Sequence, residues 1–588
     1  MPAPLPIDPL LPEIVATLAT APSLVLQAPP GAGKTTRVPL ALAAAPWMAG
    51  RKVVVLEPRR LAARMAARHM AASLGEAVGE QVGYRVRLES RVGPRTRVEL
   101  VTDGLFLRQL QGDPGLAGIG CVVFAEFHER GVESDLALAL ALEAQAMNPE
   151  LRLLVMSATL DAAPVARLLG GAPLLSSEGR AWPVEIRWAE RAPVRIEDAV
   201  AESALRALRE QPGSLLVFLP GQREIRRVAE RLEGRLPPDC DLAPLFGDLE
   251  SRAQDAAVQP APAGRRKIVL ATAIAETSLT IEGIRVVIDA GLARVPRYDP
   301  GSAMTRLETL RASQATATQR AGRAGRLEPG VCYRLWTEAE HRARAPHPLP
   351  EILASDPAPL ALELAIWGAG GGGDRGLRNP HPAAPLAQAR ALLVELGALD
   401  AAGQPTAQGR AMAALGLHPR LAHMVLKARD EGQGRLACGL AALLSGRDLL
   451  RAARDADLRP RIELLFRQGD DPRVDRGALF EARALAQQWS RAARVGRDEA
   501  VDSARCGEVL ALAYPDRVAQ ARGQAGHFRL ANGRGAALPP GDPLAAAPRP
   551  AAAPRAPRPR AAPAPKKVVV TTRTCTMCNL QKHVSQFV

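Results

Sequence analysis

The sequence predicts an α/β protein of two tandem lobes, each a parallel sheet, followed by a mainly helical module and a disordered basic tail. Three observations carry this. Apolar runs alternate with helix-length amphipathic stretches from residue 23 to about 190, the pattern of a parallel sheet covered on both faces. The alternation restarts near 191 and runs through Val286-Val-Ile-Asp289 to an arginine-rich segment at 319–326. Beyond 344 the stretches become alanine-rich and helical, and 545–565 is Pro/Ala/Arg low complexity with too little apolar surface to fold.

The first lobe opens on Ser23-Leu-Val-Leu-Gln-Ala-Pro-Pro-Gly-Ala-Gly-Lys-Thr-Thr36. An apolar run enters Gly31-Ala-Gly-Lys-Thr35, and a helical stretch from Val38 follows, which is the context a phosphate-binding P-loop requires. Gly31 and Gly33 let backbone N–H groups turn around phosphate oxygens, and the helix N-terminus adds its positive dipole end. The expected nucleotide-binding set is Gly31, Ala32, Gly33, Lys34, Thr35 and Thr36, with Lys34 on the β/γ-phosphates and the Thr35 hydroxyl on Mg²⁺. Ala28 stands where the motif usually carries its first glycine. The residues therefore predict a nucleoside triphosphate site with Mg²⁺.

Each later strand of this lobe ends in a polar motif, and ligands of open α/β sheets bind at such carboxyl ends. Val53–Leu56 leads to Glu57-Pro-Arg-Arg60, and Val98–Val101 to Thr102-Asp-Gly104. Cys121–Phe124 leads to Ala-Glu-Phe-His-Glu-Arg130, and Leu153–Met156 to Ser157-Ala-Thr159. In the second lobe, Lys267–Leu270 is followed by Ala-Thr-Ala-Ile-Ala-Glu-Thr-Ser278, and Gln319-Arg-Ala-Gly-Arg-Ala-Gly-Arg326 closes the set. Arg323 and Arg326 are three apart, so a helix would put both on one face. Two guanidinium groups aimed across a cleft suit the charge that develops in phosphoryl transfer.

In this order and spacing the motifs resemble the DEAH-box helicase family, with wording most similar to bacterial HrpB-type ATP-dependent helicases. The resemblance implies two RecA-like lobes, with Glu126 orienting the attacking water, and His128 with the Ser157/Thr159 pair coupling the nucleotide to lobe closure. It implies Gln319, Arg323 and Arg326 as phosphate contacts. It places Arg59, Arg60, Thr102, Asp103, Gly104, Thr277 and Ser278 along a nucleic-acid track. The region after 344 would be a winged-helix and ratchet-like module. The implied activity is an ATP-dependent helicase or translocase acting on single-stranded RNA or DNA.

Two positions depart from the family pattern. Ala125 stands where Asp-Glu-x-His has its aspartate, and Ala273 where an asparagine is usual. Losing an outer partner of a metal typically costs about 10–100-fold in affinity or activity, so Ala125→Asp is expected to raise nucleic-acid-stimulated turnover at least tenfold on that scale. A nucleotide-gated nucleic-acid-binding protein with impaired hydrolysis is the alternative these positions imply, and a P-loop switch that remodels proteins is a third.

The expected divisions are 1–190 and 191–343 for the lobes, 344–450 for the helical module, 451–540 for a further family region and 541–588 for the tail. Of the net charge of +15, +7 lies in the last 48 residues, so phosphate binding in the body must come from a local groove. No apolar run is long enough to span a bilayer, and the N-terminus lacks the basic region of a signal peptide, so no membrane partner and a cytoplasmic location are expected. Seven scattered cysteines fit a reducing compartment. Cys575, Cys578 and His583 are at most three ligands, one short of a closed zinc site. His418 and His423 read as structural.

Overall fold

The computed structural model describes residues 5–545 and 569–570, apart from 30, 159–161, 178–181, 248, 250, 277–280, 301–303, 327, 369–380, 452, 454, 468–470, 523–525, 532 and 539–541. Two compact units result: residues 1–296, 308–354 and 374–380, and residues 297–307, 355–373 and 381–588. The first holds both α/β lobes.

In the first lobe the strands are β1 (Ser23–Gln27), β2 (Lys52–Leu56), β3 (Val82–Val86), β4 (Glu89–Arg91), β5 (Val98–Val101), β6 (Ile119–Phe124), β7 (Arg152–Ser157) and β8 (Leu174–Ser176). Their spatial order is β4-β3-β5-β2-β6-β7-β1-β8, parallel throughout except for the β3/β4 hairpin. β6 is buried along its whole length, as a central parallel strand with helices on both faces should be. β6 and β7 stand between β1 and β2, so the loop after β1 opens at a reversal of strand order, where such sheets take their ligands. The helices Lys34–Ala43 and Arg60–Ser73 cover one face, burying Val38, Leu42, Ala63 and Ala67 against Val53, Val55, Cys121 and Val123.

The second lobe contains β9 (Val184–Trp188), β10 (Ser214–Phe218), β11 (Cys240–Leu245), β12 (Arg266–Ala271), β13 (Ile284–Asp289), the ribbon β14 (Leu292–Asp299) and β15 (Met304–Arg311), and β16 (Gly330–Arg334). Its six-stranded sheet has the order β11-β12-β10-β13-β16-β9, all parallel. The edge strand β9 comes from the stretch expected in the first lobe. Its register with β16, Val184 against Gly330 and Glu185 against Val331, is a pairing across nearly 150 residues that local patterning does not reveal. Leu61 of the first lobe packs with Leu216, Phe218 and Ala271 of the second, so the helix Arg60–Ser73 serves both sheets.

The second unit is helical, with Pro357–Trp367, Ala383–Glu395, Ala407–Ala414, Pro419–Asp430, Gly434–Ser445, Arg459–Phe466, Arg476–Ala492 and Cys506–Ala513. A short antiparallel sheet, Val518–Ala521, His527–Leu530 and Gly535–Ala537, follows. One hydrophobic core runs from Ala358 to Tyr514, so the stretches expected as separate regions, 344–450 and 451–540, are packed around a common interior. Gly434–Ser445 is buried on nearly all sides. His418 accepts from the Arg420 N–H at 3.3 Å and lies 3.2 Å from Asp356, and His423 lies 3.0 Å from Gln408. Of the basic tail, only Val569–Val570 is described beyond 545, paired with Val518–Ala519. Cys575, Cys578 and His583 lie outside the described residues. Among those described, no helix is long and apolar enough to cross a membrane.

The second unit has one close backbone approach that a single methyl group would test. A Cβ on Gly409 would lie 2.1 Å from the Ala398 carbonyl oxygen, which also accepts from the Thr406 N–H at 3.0 Å. Gly409→Ala should cost about 1–3 kcal/mol of stability through overpacking, read as a lower urea midpoint of the second unit's transition.

Candidate functional site

The glycine loop is shaped by sequence at two positions. Gly31 and Gly33 have φ of 85° and 93°, a region open to glycine and strained for other residues. A Cβ on Gly33 would also meet Leu5 Cδ1 at 2.6 Å. The loop is tied to its surroundings by backbone: Ala28 donates to the Ser157 carbonyl at 3.0 Å, and Ile7 donates to that of Ala32 at 3.0 Å. Lys34 begins the next helix with its ammonium buried, 3.4 Å from the Ala28 carbonyl and 3.3 Å from Glu126 Oε1. Thr35 and Thr36 follow, half-buried, and the Thr36 hydroxyl donates to the Gly33 carbonyl at 3.3 Å.

Glu126 is placed by a strained turn. β6 ends at Phe124, Ala125 continues the strand by donating to the Leu56 carbonyl at 3.1 Å, and Glu126 then turns back at φ 49°. A single 3₁₀ turn, Phe127–Glu129, follows before Arg130 at φ 57°. Two non-glycine residues with left-handed backbone in five positions persist only where packing holds them. Phe127 supplies that packing by meeting Phe124 edge-on at 6.2 Å, and Arg130 is anchored on Asp135 at 2.9 Å.

Burial raises the proton affinity of Glu126, but Lys34, His128 and Arg323 overcome it and hold the carboxyl down at about 2. It is therefore ionised at any working pH. His128 lies 3.5 Å from Glu126 through Nε2 and accepts the Ala158 N–H on Nδ1 at 3.3 Å, which puts its own proton on Nε2. Burial keeps this imidazole below its ordinary value against the pull of Glu126. The Ser157-Ala158 segment thus touches the glycine loop through Ser157 and the histidine through Ala158. Thr159 lies outside the described residues.

From the second lobe, Ser313 caps the helix Gln314–Ala321 by accepting the Thr316 N–H at 3.1 Å. The helix stops there, and Arg323 and Arg326 lie in the turns that follow rather than on one helical face as expected. Gly325 explains the break: a Cβ there would lie 2.5 Å from the Trp182 carbonyl oxygen, and the Trp182 N–H donates to the Gly325 carbonyl at 3.0 Å. Both guanidinium groups are nevertheless buried and act on Glu126. Burial and Arg326 press Arg323 well below its ordinary value, and burial brings Arg326 down to about 10, each offset by Glu126. Buried cations under this pressure are complementary to an anion. Gln319 is half-buried near the end of the same helix.

Arg320, given no role by the motif, is the structural member of the arginine series. It is 1% exposed, donates to Glu276 at 2.7 Å through Nε, to Asp289 at 2.8 Å and to the Leu292 carbonyl at 3.1 Å, and stacks over Phe218 at 5.1 Å. Its only sequence signal is the run of arginines itself, joined to an aspartate at the carboxyl end of β13.

The residues expected along a nucleic-acid track are placed unequally. Arg60 is exposed at the start of its helix. Arg59 bridges the lobes, donating to the Ala273 and Ile274 carbonyls at 3.0 and 3.1 Å and to Glu129 at 3.0 Å. Thr102 and Gly104 are half-buried at the start of the helix Asp103–Gly112. Asp103 between them is buried and accepts from the Ser134 hydroxyl. Thr277 and Ser278 lie outside the described residues.

A further carboxylate, Glu57, belongs to this end of the sheet. It is 1% exposed, and its carboxyl is pushed well above the usual range by burial and by Glu126, Glu129 and Asp103, against Lys34. Among the described residues no group of three His, Cys, Asp or Glu side chains is placed to hold a metal. The Thr35 hydroxyl stands in the first turn of the helix that Lys34 begins, where it would hold a divalent cation arriving with a polyphosphate.

A glycine-loop lysine, an ionised carboxylate facing it and two arginines from a second parallel-sheet lobe define a two-lobed P-loop nucleotide-binding protein. The comparisons agree. The DEAD/DEAH box helicase model matches residues 12–168, and the helicase conserved C-terminal domain model matches 198–328. The chain is 44% identical over 92% of its length to the ATP-dependent RNA helicase HrpB of Escherichia coli K12, and 35% identical over 75% of its length to the pre-mRNA-splicing factor ATP-dependent RNA helicase prp22 of Schizosaccharomyces pombe. It spans 65% and 38% of those relatives' own lengths. The crystal structure of the E. coli DEAH/RHA helicase HrpB superposes with a TM-score of 0.84, covering 92% of this chain and 67% of that one at 44% identity. The chain belongs to the DEAD/DEAH-box helicase family.

Two outcomes test this geometry. Removing the clasp with Arg59→Ala should speed amide exchange at Ala275 and Glu276 about tenfold, as expected if its two charge-assisted hydrogen bonds to that turn together contribute about 1.5 kcal/mol. Asp103 has a carboxyl pushed up to about 7 by burial, opposed by Ser134 and reinforced by Glu133, Glu129 and Glu351. Its folded value lies above the unfolded one, so the folded state holds the extra proton and stability falls as pH rises through that interval. Asp103→Asn should therefore gain stability over the parent as pH rises from 4 to 8, read as a widening difference in melting temperature.

Proposed function

We propose that this chain is an ATP-dependent RNA helicase that couples nucleotide hydrolysis between its two lobes to movement along a single strand. The observation that carries the reading is the convergence of Lys34, Glu126, Arg323 and Arg326, drawn from both lobes. RNA as the strand follows the names of both curated relatives. The comparisons lend no support to the alternative of impaired hydrolysis raised by Ala125 and Ala273.

In this reading the loop amides around Gly31 and Gly33 and the Lys34 ammonium hold the β- and γ-phosphates of ATP. Thr35 holds Mg²⁺, which supplies charge neutralisation between the phosphates when bound. Glu126, ionised and fixed by its turn, orients the attacking water and accepts its proton. Arg323 and Arg326 face the γ-phosphate and stabilise the charge that develops there. His128, linked to Ala158, and Arg59, linked to Ala273 and Ile274, relay the nucleotide state to strand-binding residues of the two lobes. Arg60, Thr102, Gly104, Thr277 and Ser278 contact the strand, with buried Asp103 positioning Thr102 and Gly104 from within.

ATP turnover measured with and without single-stranded RNA tests this. RNA should raise the rate, and Glu126→Gln should lower kcat by about 10²–10⁴ while ATP still binds. Turnover indifferent to RNA, or unaffected by Glu126→Gln, would sink the reading.

A further inference from the structure

The strand register brings one buried carboxylate beside the position where the family pattern has lost one. β2 and β6 pair in parallel, with Val53 against Cys121, Val55 against Val123 and Leu56 against Phe124. The Ala125 N–H continues the ladder by donating to the Leu56 carbonyl at 3.1 Å. The next pair is therefore Glu57 and Ala125, on strands about 4.8 Å apart.

Alternation fixes the face. Val53, Val55, Cys121, Val123 and Ala125 share one core with Val38 and Leu42, which belong to the helix that starts at Lys34. Two residues beyond Val55, Glu57 leaves the strand on that same face. It stands at the carboxyl end of the sheet, near the N-terminus of the helix that carries Lys34 and Thr35. Lys34 and Glu126 are both near enough to act on its charge.

We propose that Glu57 does the work of the carboxylate absent at position 125, orienting the water shell of the divalent cation that enters with the nucleotide. The inference rests on the nucleotide site read above. Its independent support is that Glu57 is 1% exposed and its Oε2 has no hydrogen-bond partner among the described residues. A buried carboxylate oxygen left without a donor is costly, and a metal-bound water supplies that donor. A contact made through water also tolerates displacement to the neighbouring strand, and glutamate has one methylene more than aspartate to cover it. Glu57 is thus a positioning residue, acting on the cation's water and not on the reacting atoms.

The experiment follows Mn²⁺ binding to the full chain saturated with ADP, by the paramagnetic resonance signal of free Mn²⁺. The parent, Glu57→Gln, Ala125→Asp and the double variant are compared, with ADP binding in the absence of metal measured alongside. Glu57→Gln keeps the side-chain volume and should weaken Mn²⁺ binding about 10–100-fold while metal-free ADP binding is unchanged. Adding Ala125→Asp to that variant should restore parental Mn²⁺ affinity, whereas Ala125→Asp alone should change it little. Unaltered Mn²⁺ affinity in Glu57→Gln, or a loss that Ala125→Asp does not restore, would overturn the proposal. So would a large gain from Ala125→Asp alone, because it would show the role to be unfilled in the parent. Failure of the parent chain to bind ADP at all would instead overturn the nucleotide reading beneath it.

Discussion

The contact between Lys34 and Glu126, 3.3 Å and buried on both sides, is the constraint on which the first unit is arranged. Neither charge belongs in a protein interior alone, and breaking such a pair by removing one partner typically costs about 3–5 kcal/mol. Lys34 is delivered by the glycine loop, which needs left-handed backbone at Gly31 and Gly33. Glu126 is delivered by a turn that needs left-handed backbone at a non-glycine residue. Each of these segments faces the charge that the other presents. In the proposed function, a polyphosphate at Lys34 would compete for the same ammonium and leave Glu126 free to turn toward water.

The second lobe enters this arrangement through a rigid base and a charged tip. Arg320, fixed by Glu276, Asp289, the Leu292 carbonyl and the Phe218 ring, locks the helix Gln314–Ala321 to the ends of β12 and β13. From that base the chain turns at Gly322 and Gly325 to bring Arg323 and Arg326 into the field of Glu126. The three arginines of one short motif therefore divide into one paired with two carboxylates of its own lobe and two that lie in the field of Glu126.

Much of this was legible in the sequence because it is local. The glycine loop, the strand-end motifs and the alternation that builds both sheets each occupy a few consecutive residues, and the structure has these elements in that order. What was illegible depends on distance or on backbone detail. β9 pairs with β16 across the whole second lobe, so its linear position beside the first lobe misplaced it. The turn at Arg323–Arg326 is imposed by Trp182, far away in sequence, and helical spacing gave no warning of it. The common core of the second unit joins 344–450 and 451–540, which are divided along the chain but not in packing. Glu57 reads in sequence as one residue of a strand-end motif, and only the register of β2 with β6 sets it beside Ala125.

Arg59 grips the second lobe through the carbonyl oxygens of Ala273 and Ile274. Every amino acid brings the same carbonyl, so this grip does not read the side chain at 273. Loss of an amide there removes whatever the amide did, yet the mechanical joint between the lobes survives it intact. The joint is in that sense indifferent to the side chain at 273, provided the short turn Ala273–Ala275 keeps its backbone geometry.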